Sequence, residues 1–232
     1  MKIEILFPEF CNLFGDMSNM RYLEKCLPDA EFVETPFEDE PLFVTETPAL
    51  IYLGPMTERT QERVIEKFRP FKARLQELLD SGAVFLFTGN AFEILGDYIE
   101  NEDGTRIPGL GLLRLWAKRD MMHRHNSTFL GAYEGVPVMG FKSQFTMAYT
   151  AGEGHGLFLA EKGVGLNKKT KYEGVRFGNF FGTYLLGPLL VLNPGFTRKL
   201  LALMGAADAP LAFEAAVTAA YDKRLQDFRS KT

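Results

Sequence analysis

Few residues of this chain could do covalent chemistry, and their spacing pairs none of them. The two thiols are Cys11, in the loop segment Pro8–Asp16, and Cys26, near the end of a helical pattern. His123 and His125 flank Arg124 in a polar stretch at 119–126, and His155 lies between Gly154 and Gly156. A nucleophile needs an adjacent base, and neither cysteine has a histidine beside it. No Cys/His spacing reads as a metal site. Thr88 sits one position before the turn at Gly89-Asn90; following its strand, it should point away from the apex and hydrogen-bond locally. Cys11 reads as a small buried hydrophobe and Cys26 as structural or exposed. The 119–126 stretch reads as a solvated loop or helix end, or as an anion or partner contact. The glycines around His155 suit a turn leading into a strand. Asp16 precedes a helix starting near Met17 and is expected to cap it; the alternative is a polar pocket wall or a partner contact. Gly109-Leu110-Gly111 lacks the strand–GxGxxG–helix context of a nucleotide loop.

The elements that would position these residues alternate between strand and helix. Strands are expected at Lys2–Phe7, Glu31–Thr35, Ala49–Leu53 and Ala83–Phe87; the last is a continuous apolar run, as in a strand covered on both faces. Helices are expected at about Met17–Leu27, Glu58–Leu79 and Ala91–Ile99. In the second of these, Val64, Phe68, Phe71, Leu75 and Leu78 share one face, and Pro70 should kink it. The second half offers short strands at Thr128–Tyr133, Val136–Phe141, Gly156–Ala160 and Phe180–Leu185. A loop at Leu189–Pro194, a short helix at Thr197–Met204 and a long amphipathic helix at Ala209–Arg229 follow. This order predicts an α/β fold, a mostly parallel sheet with helices on both faces and an added antiparallel section. Sites in such sheets gather at the C-terminal strand ends, here Pro8–Asp16, Gly54–Thr57, Thr88–Asn90 and the segment around Leu186.

Composition narrows the class further. The 232 residues, 46% of them hydrophobic, suffice for one domain over 1–232. The formal charge of -4 with mixed signs argues against nucleic acid as main partner. No apolar stretch reaches the roughly 20 residues of a membrane span. The chain goes straight from Met1 into a strand-like run, so a cytoplasmic location is expected. No cofactor or metal is implied.

Four segments, in order, resemble the class I glutamine amidotransferases of the GatD type, the subunit of lipid II isoglutaminyl synthase, and more distantly those of cobyric acid synthases. They are Phe7–Asp16, Thr88–Gly96, Pro108–Leu113 with Val138–Phe141, and Gly178–Leu190. The last is similar to the family's KNVIGTYLHGPLL, and Asn193-Pro194 follow it. The resemblance implies a flavodoxin-like three-layer fold. It also implies glutamine hydrolysis by a cysteine at a strand-to-helix turn and a distant histidine. Ammonia would pass to a Mur-ligase-like, MurT-type ATP-dependent partner.

In that register Gly89 stands where the family has its cysteine, and Leu186 where it has its histidine. Neither can do the work: glycine forms no thioester, and leucine moves no proton. The surroundings change too. Asn90-Ala91 replaces a glycine pair, Lys142-Ser143-Gln144 replaces Glu-Asn-His, and Pro55 after Gly54 removes a backbone donor. Arg124 is a possible counterpart of the family's glutamine-binding arginine. The emptied pocket, bounded by Asp16, Gly54, Thr88, Asn90, Gln144 and Tyr184, is expected to be roomier at Gly89 and more apolar at Leu186. The leading expectation is a non-catalytic binding, scaffolding or regulatory subunit that docks the ligase-like partner or holds a small amide or amino acid. An enzyme using Cys11 or Thr88 with His155 is the alternative. A flavodoxin-like cofactor binder follows from strand order alone.

Overall fold

In the computed structural model, which describes residues 1–152 and 154–230, the chain begins with β1 (Lys2–Leu6), α1 (Ser18–Cys26), β2 (Glu31–Thr35), β3 (Leu50–Leu53), α2 (Glu58–Phe68), α3 (Lys72–Asp80) and β4 (Phe85–Thr88). It continues with β5 (Tyr98–Glu100), β6 (Arg106–Pro108), β7 (Leu115–Arg119), β8 (His125–Tyr133), β9 (Val136–Gln144), β10 (Thr146–Thr150), β11 (Gly156–Lys162), β12 (Tyr172–Phe177) and β13 (Phe180–Thr183). The helices α4 (Leu189–Leu192), α5 (Pro194–Leu203) and α6 (Glu214–Ser230) close it. Glu153, two positions before His155 in the sequence, lies outside the described residues.

Strand alternation builds two cores. β3 sends Leu50 and Tyr52 to one face and Ile51 and Leu53 to the other. β4 does the same with Leu86 against Phe85 and Phe87. All of these are buried, because helices cover both faces. Val64, Ile65 and Phe68 of α2 and Leu75 and Leu78 of α3 fill the first core. Met20 and Leu23 of α1 and Phe196, Leu200 and Leu201 of α5 fill the second. Pro70 sits in a 3-10 turn, Arg69–Phe71, that divides α2 from α3, since its ring denies the helix an N–H and crowds the preceding turn.

The large sheet runs β2-β1-β3-β4-β13-β12-β11-β8-β9. Pairing is parallel from β2 through β13 and antiparallel from β13 to β9. The sheet is therefore mixed, with an antiparallel section as extensive as the parallel one. A second sheet, β10-β7-β5-β6, turns Ile99, Leu115, Ala117 and Ala148 into the first core.

Several elements differ from the sequence reading. Ala91–Ile99 is not an α-helix: Gly89–Leu95 is 3-10, and β5 begins at Tyr98. Ala91, Phe92, Glu93, Ile94 and Leu95 are all buried, so the segment has no solvent face to make it amphipathic. Leu189–Pro194 is not a loop but α4 and the start of α5. Pro194 takes the first turn of α5, where its missing N–H costs nothing. The C-terminal helix begins only at Glu214 and buries Val217 alone, so it is not the amphipathic helix expected. The short strands β5, β6, β7, β10 and β12 were not legible.

Asn193, fully buried, ties α4 and α5 to the sheet. Its Oδ1 accepts from Met139 N (2.7 Å), and its Nδ2 donates to Met139 O and Leu189 O (both 2.8 Å). Asn193→Ala strands a buried N–H and C=O, and urea melts should show a loss of about 3 kcal/mol.

Candidate functional site

The C-terminal ends of β1, β3, β4 and β13 converge where the strand order reverses between β1 and β3, the place where open α/β sheets form crevices. A cavity of about 320 Å³ opens there. Its walls include Leu13, Phe14, Pro55, Met56, Glu58, Gly89, Asn90, Arg124, Gln144, Thr146, Tyr184 and Leu186. Of the residues picked from sequence, Asn90, Gln144 and Tyr184 line it together with Gly89 and Leu186. Asp16, Gly54 and Thr88 do not line it; they build its frame.

The turn after β4 is interlocked with its neighbours. Gly89 adopts φ +59°, and a Cβ built on it would lie 2.3 Å from Pro55 Cβ. The expected extra room is absent, because the proline ring fills it. Asn90 holds the proline loop down: its Oδ1 accepts from Met56 N (3.1 Å) and its Nδ2 donates to Met56 O (2.9 Å). On the other side, Leu13 N donates to Pro55 O at 3.0 Å. Gly54 is required by close approach, since a Cβ there would meet Cys11 O at 2.2 Å. The opening loop carries two non-glycine residues in the left-handed region, Phe7 (φ 54°) and Phe14 (φ 62°). Each costs about 1–2 kcal/mol, held by the contacts around them.

Beneath the turn lies a buried carboxylate. Asp16 does not cap α1. Met17 N takes Asn12 Oδ1 instead (2.9 Å), and Asp16 accepts from Tyr52 OH (2.6 Å) and the Thr88 hydroxyl. Its other oxygen, Oδ1, has no partner. Burial pushes its pKa up to about 6, against the lowering effect of the Thr88 and Tyr52 hydrogen bonds. Thr88 is thus turned under the sheet, fully buried.

The opposite wall is polar and mostly bonded to itself, with Arg119 Nε and Gln144 Oε1 left without partners. Tyr184 OH donates to Glu93 Oε1 (2.6 Å), as does the Thr146 hydroxyl, and Gln61 Nε2 donates to Glu93 Oε2 (2.8 Å). Arg119 reaches Gln61 Oε1 at 3.0 Å and Glu62 at 2.8 Å. Glu93 is fully buried, and burial raises its pKa. Nearby, Glu173 accepts from Thr183 Oγ1 (2.6 Å) and Tyr184 N (2.9 Å). Buried Lys142 donates to Val164 O and Gly165 O (2.7 and 2.6 Å). Burial lowers the Lys142 pKa and raises that of Glu173, and their mutual attraction opposes both shifts. Leu186 is buried and exchanges backbone hydrogen bonds with Phe141.

The remaining candidate nucleophiles and bases are not assembled. Cys11 is buried against Met56 Sδ (3.9 Å), and burial pushes its thiol well up. His155 stacks on Phe177 (4.2 Å) and lines a different recess. His123 pairs with Asp120 on the surface, and Cys26 accepts from Ala212 N. Gly109 and Gly111 serve packing: a Cβ on Gly109 would meet Gly96 O at 2.2 Å. The sequence reading missed Glu93, Lys142 and Glu173 as frame residues. A lone charge inside the apolar run Ala91–Leu95 was the available signal for Glu93.

The CobB/CobQ-like glutamine amidotransferase domain model matches residues 2–193. The chain is 27% identical over 154 residues to the lipid II isoglutaminyl synthase (glutamine-hydrolyzing) subunit GatD of Staphylococcus aureus, covering 66% of this chain and 62% of that protein. It is 23% identical to the Streptococcus pneumoniae subunit of the same name, over 86% of this chain and 78% of that one. The match thus spans less than two thirds of the staphylococcal subunit's length. A glutamine amidotransferase crystal structure superposes with a TM-score of 0.57 at 16% identity, covering 88% of this chain and 99% of that one. A second, from Thermotoga maritima, gives 0.55 at 12%, covering 86% and 80%. Both likenesses support the fold. Among the described residues no helix is long and apolar enough to cross a membrane.

Asp16 gives the site a pH signature. A carboxyl with its folded pKa raised from 3.8 to about 6 binds its proton more tightly folded than unfolded. Its contribution is most favourable at low pH, is lost as pH rises through about 4 to 6, and is flat above. Asp16→Asn keeps an acceptor for Tyr52 and Thr88 and removes the charge. Denaturant titrations across pH 4–7 should show a shallower decline with pH in the variant than in the native chain.

Proposed function

The chain belongs to the CobB/CobQ-like glutamine amidotransferase domain family, and from that premise we propose that it is a member without glutaminase chemistry, acting as a binding, scaffold or regulatory subunit. One observation carries the reading: the place a cysteine side chain would occupy at residue 89 is filled by Pro55 Cβ, 2.3 Å from the built Cβ. Covalent attack on an amide needs a nucleophile and a base in mutual reach. Here the turn offers a hydrogen atom, and the wall opposite offers the Leu186 side chain. A relocated nucleophile finds little support. Cys11 is buried with its thiol pKa pushed up, Thr88 does not line the cavity, and His155 belongs to another recess.

The partner we assign is a Mur-ligase-like, MurT-type ATP-dependent subunit, by relation to the isoglutaminyl synthase subunits; the cell-wall setting rests on the same relation. We take residues 1–232 as one domain in that role. The apolar side of the cavity mouth supports docking there: Leu13 and Phe14, both in its wall, are 37% and 55% exposed.

The test is ammonia release. The purified chain, alone and with a partner ligase, is expected to release none from glutamine above background. Gly89→Cys with Leu186→His is expected to stay inactive and to lose stability, because the new side chain meets Pro55. Adding Pro55→Gly should recover the stability of that double variant. An acyl adduct formed on the native chain by a glutamine-like electrophile would overturn the reading.

A further inference from the structure

A partner docked at the cavity mouth meets a surface whose chemistry can be read, and this inference rests on that proposed docking. Phe10 is 40% exposed and joins exposed Leu13 and Phe14, so the opening loop shows three large apolar side chains within five positions. Phe14 is held there at φ 62°, a backbone region costly to any residue with a Cβ. In the chain alone that cost brings no burial in return. Clustered apolar exposure on strained backbone marks a contact surface.

α2 runs beside this loop and sorts its charges. Glu58, Glu62 and Glu66 recur every four residues and share one face, and Arg59, Arg63 and Lys67 share the next. Two of the acids are turned to the chain's own arginines, Glu62 to Arg119 (2.8 Å) and Glu66 to Arg69 (2.9 Å). The cations have no such partners: among the described residues no ion pair engages Arg59, Arg63 or Lys67. Arg63 lies instead over the Phe10 and Phe37 rings (5.4 and 4.7 Å), and Lys67 over Phe37 (5.6 Å). Glu9 of the opening loop spends its Oε1 on Phe37 N (2.6 Å). Arg59 stands in the first turn of an 11-residue helix, where the macrodipole disfavours a cation and favours an anion. A carboxylate arriving there would meet both Arg59 and the positive end of α2. A chain of formal charge -4 thus carries a row of uncompensated cations, about 6 Å per step along α2, beside an exposed apolar cluster.

We propose that the opening loop and α2 form one docking surface for an acidic, apolar-faced segment of the ligase-like subunit. Its carboxylates pair with Arg59 and Arg63, and its apolar side chains cover Phe10, Leu13 and Phe14. Seated there it lies across the cavity mouth, because Leu13, Phe14 and Glu58 belong to the cavity wall. An anionic bilayer is the poorer match. Three cations are fewer than the roughly four to eight of a polybasic membrane site, and Glu38 and Asp39 lie exposed just after Phe37.

Titration calorimetry of the full chain with the purified Mur-ligase-like subunit, at low and at high salt, tests this. Affinity should fall with salt. Arg59→Glu with Arg63→Glu should weaken binding about tenfold or more, and the same reversal at exposed Lys169 and Lys171 should leave it unchanged. Phe14→Gly should weaken it by a similar factor, about tenfold, with the melting temperature unchanged or raised, because glycine takes φ 62° without strain. In the complex, hydrogen exchange should slow over 7–16 and 57–68. Affinity indifferent to the Arg59 and Arg63 reversal or to Phe14→Gly, or protection confined to other segments, would overturn the proposal and leave the partner assignment standing. Binding of the native chain to vesicles of phosphatidylserine and phosphatidylcholine, lost on the Arg59 and Arg63 reversal, would overturn it in favour of a lipid surface. No complex with the native chain would overturn the partner assignment and this inference with it.

Discussion

The site is governed by the approach of Pro55 to Gly89. With 2.3 Å between the proline Cβ and the position of a Cβ on residue 89, the two loops touch only because residue 89 has no side chain. The contact is held from both directions. Asn90 pairs with both backbone groups of Met56, and the opening loop reaches Pro55 O through Leu13 N. Three chain segments thus share one packed junction at the C-terminal edge of the sheet. Packed junctions of this kind do not deform smoothly, so a side chain at residue 89 has to displace a loop and not merely fill a gap.

Below and beside that junction the molecule carries a set of fully buried carboxylates: Asp16, Glu93 and Glu173. Each is raised by burial and each receives hydroxyl or backbone donors from a different strand end. Asp16 binds Thr88 of β4 and Tyr52 of β3; Glu173 of β12 binds Thr183 of β13 and Tyr184 just past it; Glu93 binds Thr146 of β10 and Tyr184. These acids add side-chain ties at strand ends: β3 to β4 and β12 to β13, which the sheet's ladder already joins, and β10 of the second sheet to the segment after β13. Their role is geometric, and it draws the Tyr184 and Thr146 hydroxyls, polar groups of the cavity wall, inward onto Glu93.

Such long-range ties explain what the sequence could and could not disclose. The apolar runs at Ala49–Leu53 and Ala83–Phe87 announce central strands, and Pro70 announces a break, because each depends on local backbone chemistry. β7, β10 and β12 are short and mixed in composition, so neither periodicity nor propensity marks them. Ala91–Leu95 has helix-like spacing, but burial on every side removes the amphipathic contrast that spacing arguments need. Asp16 looked like a cap because its type and position fit one. No side chain caps α1; Asn12, five residues before Met17, takes the Met17 N–H, and the Asp16 carboxylate serves two hydroxyls from distant strands. At Gly89 the residue type was readable, but the consequence was not: a missing side chain suggests a void until Pro55 is seen to occupy it.

The substitutions around the turn are best understood together. Glycine at 89 alone would leave a hole, and proline at 55 alone would collide with any side chain there. Asn90 alone would have no loop at the right distance to clamp. Each makes sense only with the other two, which is the pattern expected when a region is repacked for rigidity. Leu186 is set from the far wall, pinned to Phe141 by paired backbone bonds and giving that side of the cavity an apolar surface. The strand ends, the buried acids and the opening loop thus surround a turn whose Cβ space is taken by Pro55, and the proposed non-catalytic reading stands on that packing.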